Sequence, residues 1–258
     1  MRRTVPLLVV IVLLLVSCGG GAKRDPAAPS LPTPTVAGTI AFAKVDNHGR
    51  GDIHVIRTDG TGLKRLAASG DVEVEPAWSP DGGKIAYSVG VHRSVSVRVM
   101  NADGSGQVAL TDGTGDFYPA WSPDGTRIAF SRWYVGIHIV NADGSGPTQV
   151  SSGASDRYPT WAPDGRIFFI SGTEGSPSSD VYSVEPDGSG LAPVTRVGHV
   201  EAFSLSPDGR QLVIHDTAND RLALVPSSGQ GTLFVLVEEV SQYAEGHVWS
   251  TWSPTAVR

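Results

Sequence analysis

"PAWSPDGGKIAY" runs from Pro76 to Tyr87, and its reading decides the fold. A tryptophan leads into a Ser-Pro-Asp-Gly turn, and a short apolar run follows at once. Proline sets φ at the first central position of such a turn, while Asp and Gly tolerate what comes next. Alone, the stretch is a hairpin. Elsewhere in the chain it recurs as "WSPDG" at Trp121–Gly125, "WAPDG" at Trp161–Gly165, "LSPDG" at Leu205–Gly209 and "WSPT" at Trp252–Thr255. The first residues of successive copies are 43, 40, 44 and 47 apart.

A second marker keeps the same beat: "TDGTG" from Thr58, "NADGSG" from Asn101 and Asn141, "EPDGSG" from Glu185, and "PSSGQG" from Pro226. Between the markers each period holds four short apolar segments. In the copy quoted above they are "EVEPAW" (Glu73–Trp78), "KIAYS" (Lys84–Ser88), "SVRVM" (Ser96–Met100) and "QVALT" (Gln107–Thr111). All are β-branched or aromatic in flavour and bounded by turn residues, as strands are. A unit of about 40–45 residues with four antiparallel strands is a propeller blade. The chain is therefore read as all-β.

The stretch "PAWSPDGGKIAYS…VRVMNADGSGQVALT" resembles the TolB-type propeller repeat, a relative of the WD repeat found in bacterial envelope proteins. The resemblance covers roughly residues 38 to 254. It implies that the "PAW" strand of each blade is innermost. The chain opens on "TIAFA" (Thr39–Ala43), a second-strand sequence, and ends on "HVWSTWSP" (His247–Pro254), a first-strand sequence. Joining the two makes a composite blade, so the C-terminal strand is expected to close the ring on the N-terminal blade. Five blades are expected, with six as the alternative, because the family's namesake has six. A sixth sheet would have to lie in Leu222–Gly246, which offers two convincing strands, "LALVP" and "TLFVLV".

Composition agrees with short elements joined by tight turns: 31 glycines and 18 prolines among 258 residues, with 18% charged. The formal charge is −6, and no basic run of useful length follows Arg24. A nucleic-acid partner, which needs a concentrated positive face, is disfavoured.

The N-terminus reads as an address. A basic start precedes an apolar stretch of 12 residues, Val5–Val16, and then small residues. That is the layout of a secretory signal, and the stretch is short of the roughly 20 residues that span a bilayer as a helix. The single cysteine, Cys18, follows "LVS". The order Leu15-Val16-Ser17-Cys18 resembles the bacterial lipoprotein signal, which implies lipidation of Cys18 and attachment to a membrane. Residues 1–17 are expected to be the signal peptide, 18–37 a flexible Gly/Pro-rich tether, and 38–258 the propeller. The expected location is the extracytoplasmic face of a bacterial cell envelope, as a monomer.

Chemistry is sparse. No G-x-S-x-G elbow occurs, and the seven histidines lie far apart without metal-ligand spacing. No cofactor is expected. His54 and His138 hold equivalent places in their strands, as packing residues would. The tryptophans recur at one phase of the repeat and read as inter-blade filler. The Asp of each "SPDG" and "DGSG" reads as a turn former.

Differences between the copies gather just before each inner strand, where the chain reads "GDVEVEP", "GTGDFYP", "GASDRYP", "VGHVEAF" and "YAEGHVW". The candidate ligand-binding rim is Glu73, Glu75, Asp116, Tyr118, Asp156, Arg157, Tyr158, Glu201, Glu245 and His247. Converging carboxylates with aromatic neighbours can focus a field on a cationic or peptide ligand. The expectation is a scaffold for an envelope protein or peptide and not an enzyme. The alternatives are a carbohydrate-binding or carbohydrate-active propeller, with Glu75 and Glu201 as its carboxylates, and a sensor for a small ligand.

Overall fold

The computed structural model describes residues 38–240 apart from 47, 48, 68, 92 and 173–177. Five antiparallel sheets occupy these residues, and no α-helix does. The first holds β1 (Thr39–Val45), β2 (Gly51–Arg57) and β3 (Lys64–Arg65). The second holds β4 (Val72–Trp78), β5 (Lys84–Val91), β6 (Ser94–Asn101) and β7 (Val108–Ala109). The third holds β8 (Asp116–Trp121), β9 (Arg127–Arg132), β10 (Gly136–Asn141) and β11 (Thr148–Gln149). The fourth holds β12 (Arg157–Trp161), β13 (Ile167–Gly172), β14 (Ser179–Val184) and β15 (Ala192–Pro193). The fifth holds β16 (Val200–Leu205), β17 (Gln211–Asp216), β18 (Arg221–Pro226) and β19 (Phe234–Glu238).

Strands follow chain order within every sheet, which is the up-and-down meander of a propeller blade. β8 lies against β4 on one side and β12 on the other across sheet boundaries, so the first strands of blades two to four are the inner ones. The first blade has three described strands. The segment expected to complete it, His247–Pro254, lies outside the described residues, as do Cys18, Glu245 and His247.

The turn chemistry explains why the repeat folds as it does. Gly82 N–H donates to Ser79 O at 2.9 Å with Gly82 at φ 70°, while Ser79 Oγ donates to Asp81 Oδ1 at 2.6 Å. The same serine and aspartate pair recurs as Ser122–Asp124 and Ser206–Asp208. These hydrogen bonds hold the Asp81, Asp124 and Asp208 carboxyls below the ordinary carboxylate range. The aspartates are turn formers, as their pattern suggests.

Four apolar clusters fill the four boundaries between consecutive blades. Trp121 and Trp161 are both buried there, and each indole N–H donates across the boundary at 3.1 Å, to Ala77 O and Ala120 O. The tryptophans are filler with a polar handle, which stitches one blade to the previous one. Arg127, from the previous blade, lies 5.0 Å over the Trp161 ring. His54 and His138 also pack as expected. Their rings stack on Phe42 and Phe130 at 5.7 and 5.6 Å, and each Nδ1 faces a backbone carbonyl two residues earlier.

Outermost strands are shorter than the sequence suggests: four of the five are two residues long. A side chain takes over where the backbone ladder stops. Thr111 Oγ1, Ser151 Oγ and Thr195 Oγ1 accept from Val97, Ile137 and Val181 N–H at 2.8–2.9 Å.

Candidate functional site

Each inner strand of blades two to four bends at the residue before its proline. Proline offers no N–H to the ladder and disfavours the right-handed helical region for its predecessor. Glu75, Tyr118 and Tyr158 nevertheless take φ 59°, 57° and 57° in place of the extended backbone usual before proline, and the strand register shifts at each. A left-handed conformation strains a side chain larger than glycine, and such residues concentrate at functional sites. In the fifth blade Ala202-Phe203 stands at this place, and Ala202 is not left-handed.

The three bulge residues meet across blade boundaries. Glu75 Oε2 accepts from Tyr118 N–H of the next blade at 2.7 Å and from Ser88 Oγ of its own blade at 2.8 Å. The Tyr118 and Tyr158 rings lie 4.3 Å apart at 58°. Arg157 sits 5.7 Å over the Tyr158 ring. Burial pushes the Glu75 carboxyl up to about 7, against the two hydrogen bonds that favour its charged form. Burial also pushes the Tyr118 phenol up, with the Glu75 charge and Tyr158 adding to it. The site therefore sets a carboxyl pushed up to about 7 beside the Tyr118 phenol, which burial keeps protonated.

Four of the residues expected at the rim are thus brought together: Glu75, Tyr118, Arg157 and Tyr158. Three others are turned inward. Glu73, Asp116 and Asp156 are 1%, 0% and 6% exposed. Glu73 Oε1 accepts from Ser69 N–H at 2.7 Å. Asp116 takes a two-pronged contact from Arg132, at 2.7 and 3.0 Å. Asp156 accepts from Ser151 Oγ and from Gly153 N–H. The rim of exposed carboxylates expected from the loop sequences is therefore not present at these positions. A short acidic side chain beside a tight loop closes that loop's own polar groups before it can serve a ligand. Glu201 lies 3.3 Å from His215 Nδ1 on the neighbouring strand of its own blade.

The loop sequences did not point to Ser88, Phe117, Trp133 or Tyr134. Phe117 contacts Tyr118 at 6.0 Å and Trp133 at 5.2 Å between ring centroids. Its companion signal in the sequence is "RWYVG", aromatic where the other copies carry polar turn residues. Among the described residues, no three His, Cys, Asp or Glu side chains converge as metal ligands.

No protein-family model matches the sequence, and no curated protein matches it. Solved structures do. TolB from Acinetobacter baumannii superposes with a TM-score of 0.65 at 21% identity, over 78% of this chain and 53% of that one. A TolB described as putative, from Agrobacterium tumefaciens, gives 0.63 at 19% identity, over 78% of this chain and 81% of that one. A chain of a nidogen/laminin complex gives 0.62 at 13% identity, over 77% and 78%. The chain thus spans about half the length of the Acinetobacter protein. At these identities the likeness concerns architecture, and it agrees with the sheet order and the repeat. In fold, the chain is a TolB-like β-propeller.

Proposed function

We propose that the chain is a lipid-anchored, extracytoplasmic propeller that binds a protein or peptide segment of the cell envelope at the bulge end of its inner strands. One observation carries the reading. Three consecutive blades contribute their strained bulge residue, Glu75, Tyr118 and Tyr158, to one half-buried cluster. Tyrosine and arginine are enriched where protein surfaces bind one another most tightly. Solved propellers of TolB and of a nidogen/laminin complex share the architecture, and the second of these belongs to an assembly of two proteins. Attachment through Cys18 and export by residues 1–17 rest on the sequence.

The test is site-specific crosslinking in intact cells. Benzoylphenylalanine replacing Arg157 should capture one envelope protein on irradiation. The same probe replacing Asp103, in the turn at the opposite end of blade two, should capture none. No adduct at 157, or equal adducts at both positions, overturns the reading. The anchor has its own test: membrane partitioning that survives Cys18→Ala sinks it.

A further inference from the structure

Blade three departs from its neighbours in the turn between its second and third strands. That turn reads Trp133-Tyr134-Val135, and the three side chains are 48%, 57% and 38% exposed. Blade five has Thr217-Ala218-Asn219-Asp220 at the same place. Large aromatic residues side by side in water are uncommon without a purpose.

The turn is fixed in place. Trp133 N–H donates to Gly115 O at 2.9 Å, Val135 N–H to Arg132 O at 3.0 Å, and Gln149 Nε2 to Val135 O at 3.0 Å. A Cβ on Gly115 would lie 3.3 Å from Trp133 Cβ, so the tryptophan stem rests on the loop that leads into β8. Tyr134 holds φ 60°, a strained conformation for a bulky residue. Rigid aromatic groups bind with little ordering cost.

From this turn the rings run inward without a break. Successive centroid distances are 5.9 Å from Tyr134 to Trp133, 5.2 Å to Phe117, 6.0 Å to Tyr118 and 4.3 Å to Tyr158. At the inner end stands Glu75, whose Oε2 is occupied by Ser88 and Tyr118. Its Oε1 is neither hydrogen-bonded nor sealed from solvent, and no described cation pairs with it. A half-buried carboxylate without a counter-charge is best satisfied by a basic side chain that brings its own donors. Neighbouring ring planes are tilted by 51°, 41°, 39° and 58°, so they form no flat platform for sugar rings. They present alternating faces and edges, which suit the varied side chains of an extended peptide.

We propose that this aromatic track takes an extended segment of a partner protein. A lysine or arginine of that segment would lie on Glu75, and its apolar or aromatic side chains over Phe117, Trp133 and Tyr134. The inference rests on the protein-binding reading above and narrows it to one radial path and one ligand chemistry.

A phage-displayed random dodecapeptide library, panned on the full chain in detergent micelles, provides the test. Enriched peptides should combine a Lys or Arg with aromatic or aliphatic residues a few positions away. Trp133→Ala should weaken a selected synthetic peptide about tenfold or more, as truncation of an aromatic anchor does. Tyr134→Gly is the second variant, because glycine adopts the left-handed turn without strain and keeps the fold. Glu75→Gln should weaken the lysine peptide and leave its norleucine counterpart unchanged. Binding that is indifferent to Trp133→Ala and Tyr134→Gly overturns the track while leaving the protein-binding reading standing. Equal effects of Glu75→Gln on both peptides overturn the basic contact. No enriched peptide, or retention of the chain on a glycan array instead, overturns the inference. Failure of the crosslinking at position 157 would then remove the broader reading as well.

Discussion

Tyr118 donates its backbone N–H to Glu75 Oε2 at 2.7 Å, across the boundary between blades two and three. The bond joins the bulge of one inner strand to the bulge of the next. It makes the protonation of a single carboxyl a property of the blade interface. Both the titration of the site and part of the ring's cohesion pass through it.

Stability should therefore fall as pH rises from about 4.5 to about 7, in the share that Glu75 controls. Its folded value, about 7, lies above the ordinary 4.5, so the folded chain holds a proton that the unfolded chain has lost. The contribution is fully present below about 4.5 and is lost as pH rises to about 7. Allowing for the residue's partial exposure, the loss is on the order of 2 kcal/mol. Urea melts of the wild type and of Glu75→Gln at pH 5 and pH 8 check it. The variant keeps an acceptor for Tyr118 and should lose this share of the slope. Parallel pH profiles for the two proteins would remove Glu75 as the source.

The Asp116–Arg132 pair should behave as a structural contact. Asp116 is 0% exposed and bound by both prongs of the guanidinium, at the end of the β8–β9 ladder. Arg132→Met leaves a buried carboxylate with no counter-charge and should cost about 3 kcal/mol. Asp116→Asn should cost less, because the amide oxygen can still accept one bond. Peptides selected on the wild type should bind the folded fraction of both variants unchanged. A loss of affinity without a loss of stability would put Asp116 back in a binding role.

The outer edge of blade five is the surface most prone to self-association. β19 is five residues long where the other outermost strands have two, and Phe234, Leu236 and Val237 are 64%, 46% and 39% exposed. A long apolar edge offers free backbone groups to another chain. Leu236→Lys should reduce aggregation on heating with little change in the unfolding midpoint, read by light scattering beside circular dichroism. Equal aggregation in both proteins would exonerate this edge.

The repeat was open to a reader of the sequence because its markers are turn residues, whose backbone demands are local. Ser79-Pro80-Asp81-Gly82 makes the same turn whatever surrounds it. The tryptophans were legible for a related reason: one phase of a repeat fills one kind of space. The carboxylates were not. Whether Asp116 faces solvent or Arg132 depends on a strand register that brings together residues 16 apart. The left-handed place of Glu75, Tyr118 and Tyr158 was not legible either, since a following proline favours extended backbone and the bulge is set by the strand pairing. Trp133 and Tyr134 lie in a turn whose copies differ as much as the inner-strand loops do. Only their contact with Phe117 makes them part of the site.

Ring closure can be tested through a tryptophan. Trp121 and Trp161 each donate an indole N–H to the residue before the tryptophan of the previous blade. Trp78 Nε1 is shielded from solvent and has no acceptor among the described residues. If the chain closes as its repeat implies, the acceptor is the carbonyl of Thr251, which precedes Trp252 as Ala77 precedes Trp78. Trp78→Phe and Trp121→Phe then remove equivalent bonds, and beyond the lost packing each should cost about 1 kcal/mol. Trp78→Phe should add nothing once residues 247–254 are deleted, whereas Trp121→Phe should keep its full effect. A Trp78→Phe variant as stable as the wild type in the full chain would mean that the indole meets no carbonyl, and the proposed closing strand would fall with it.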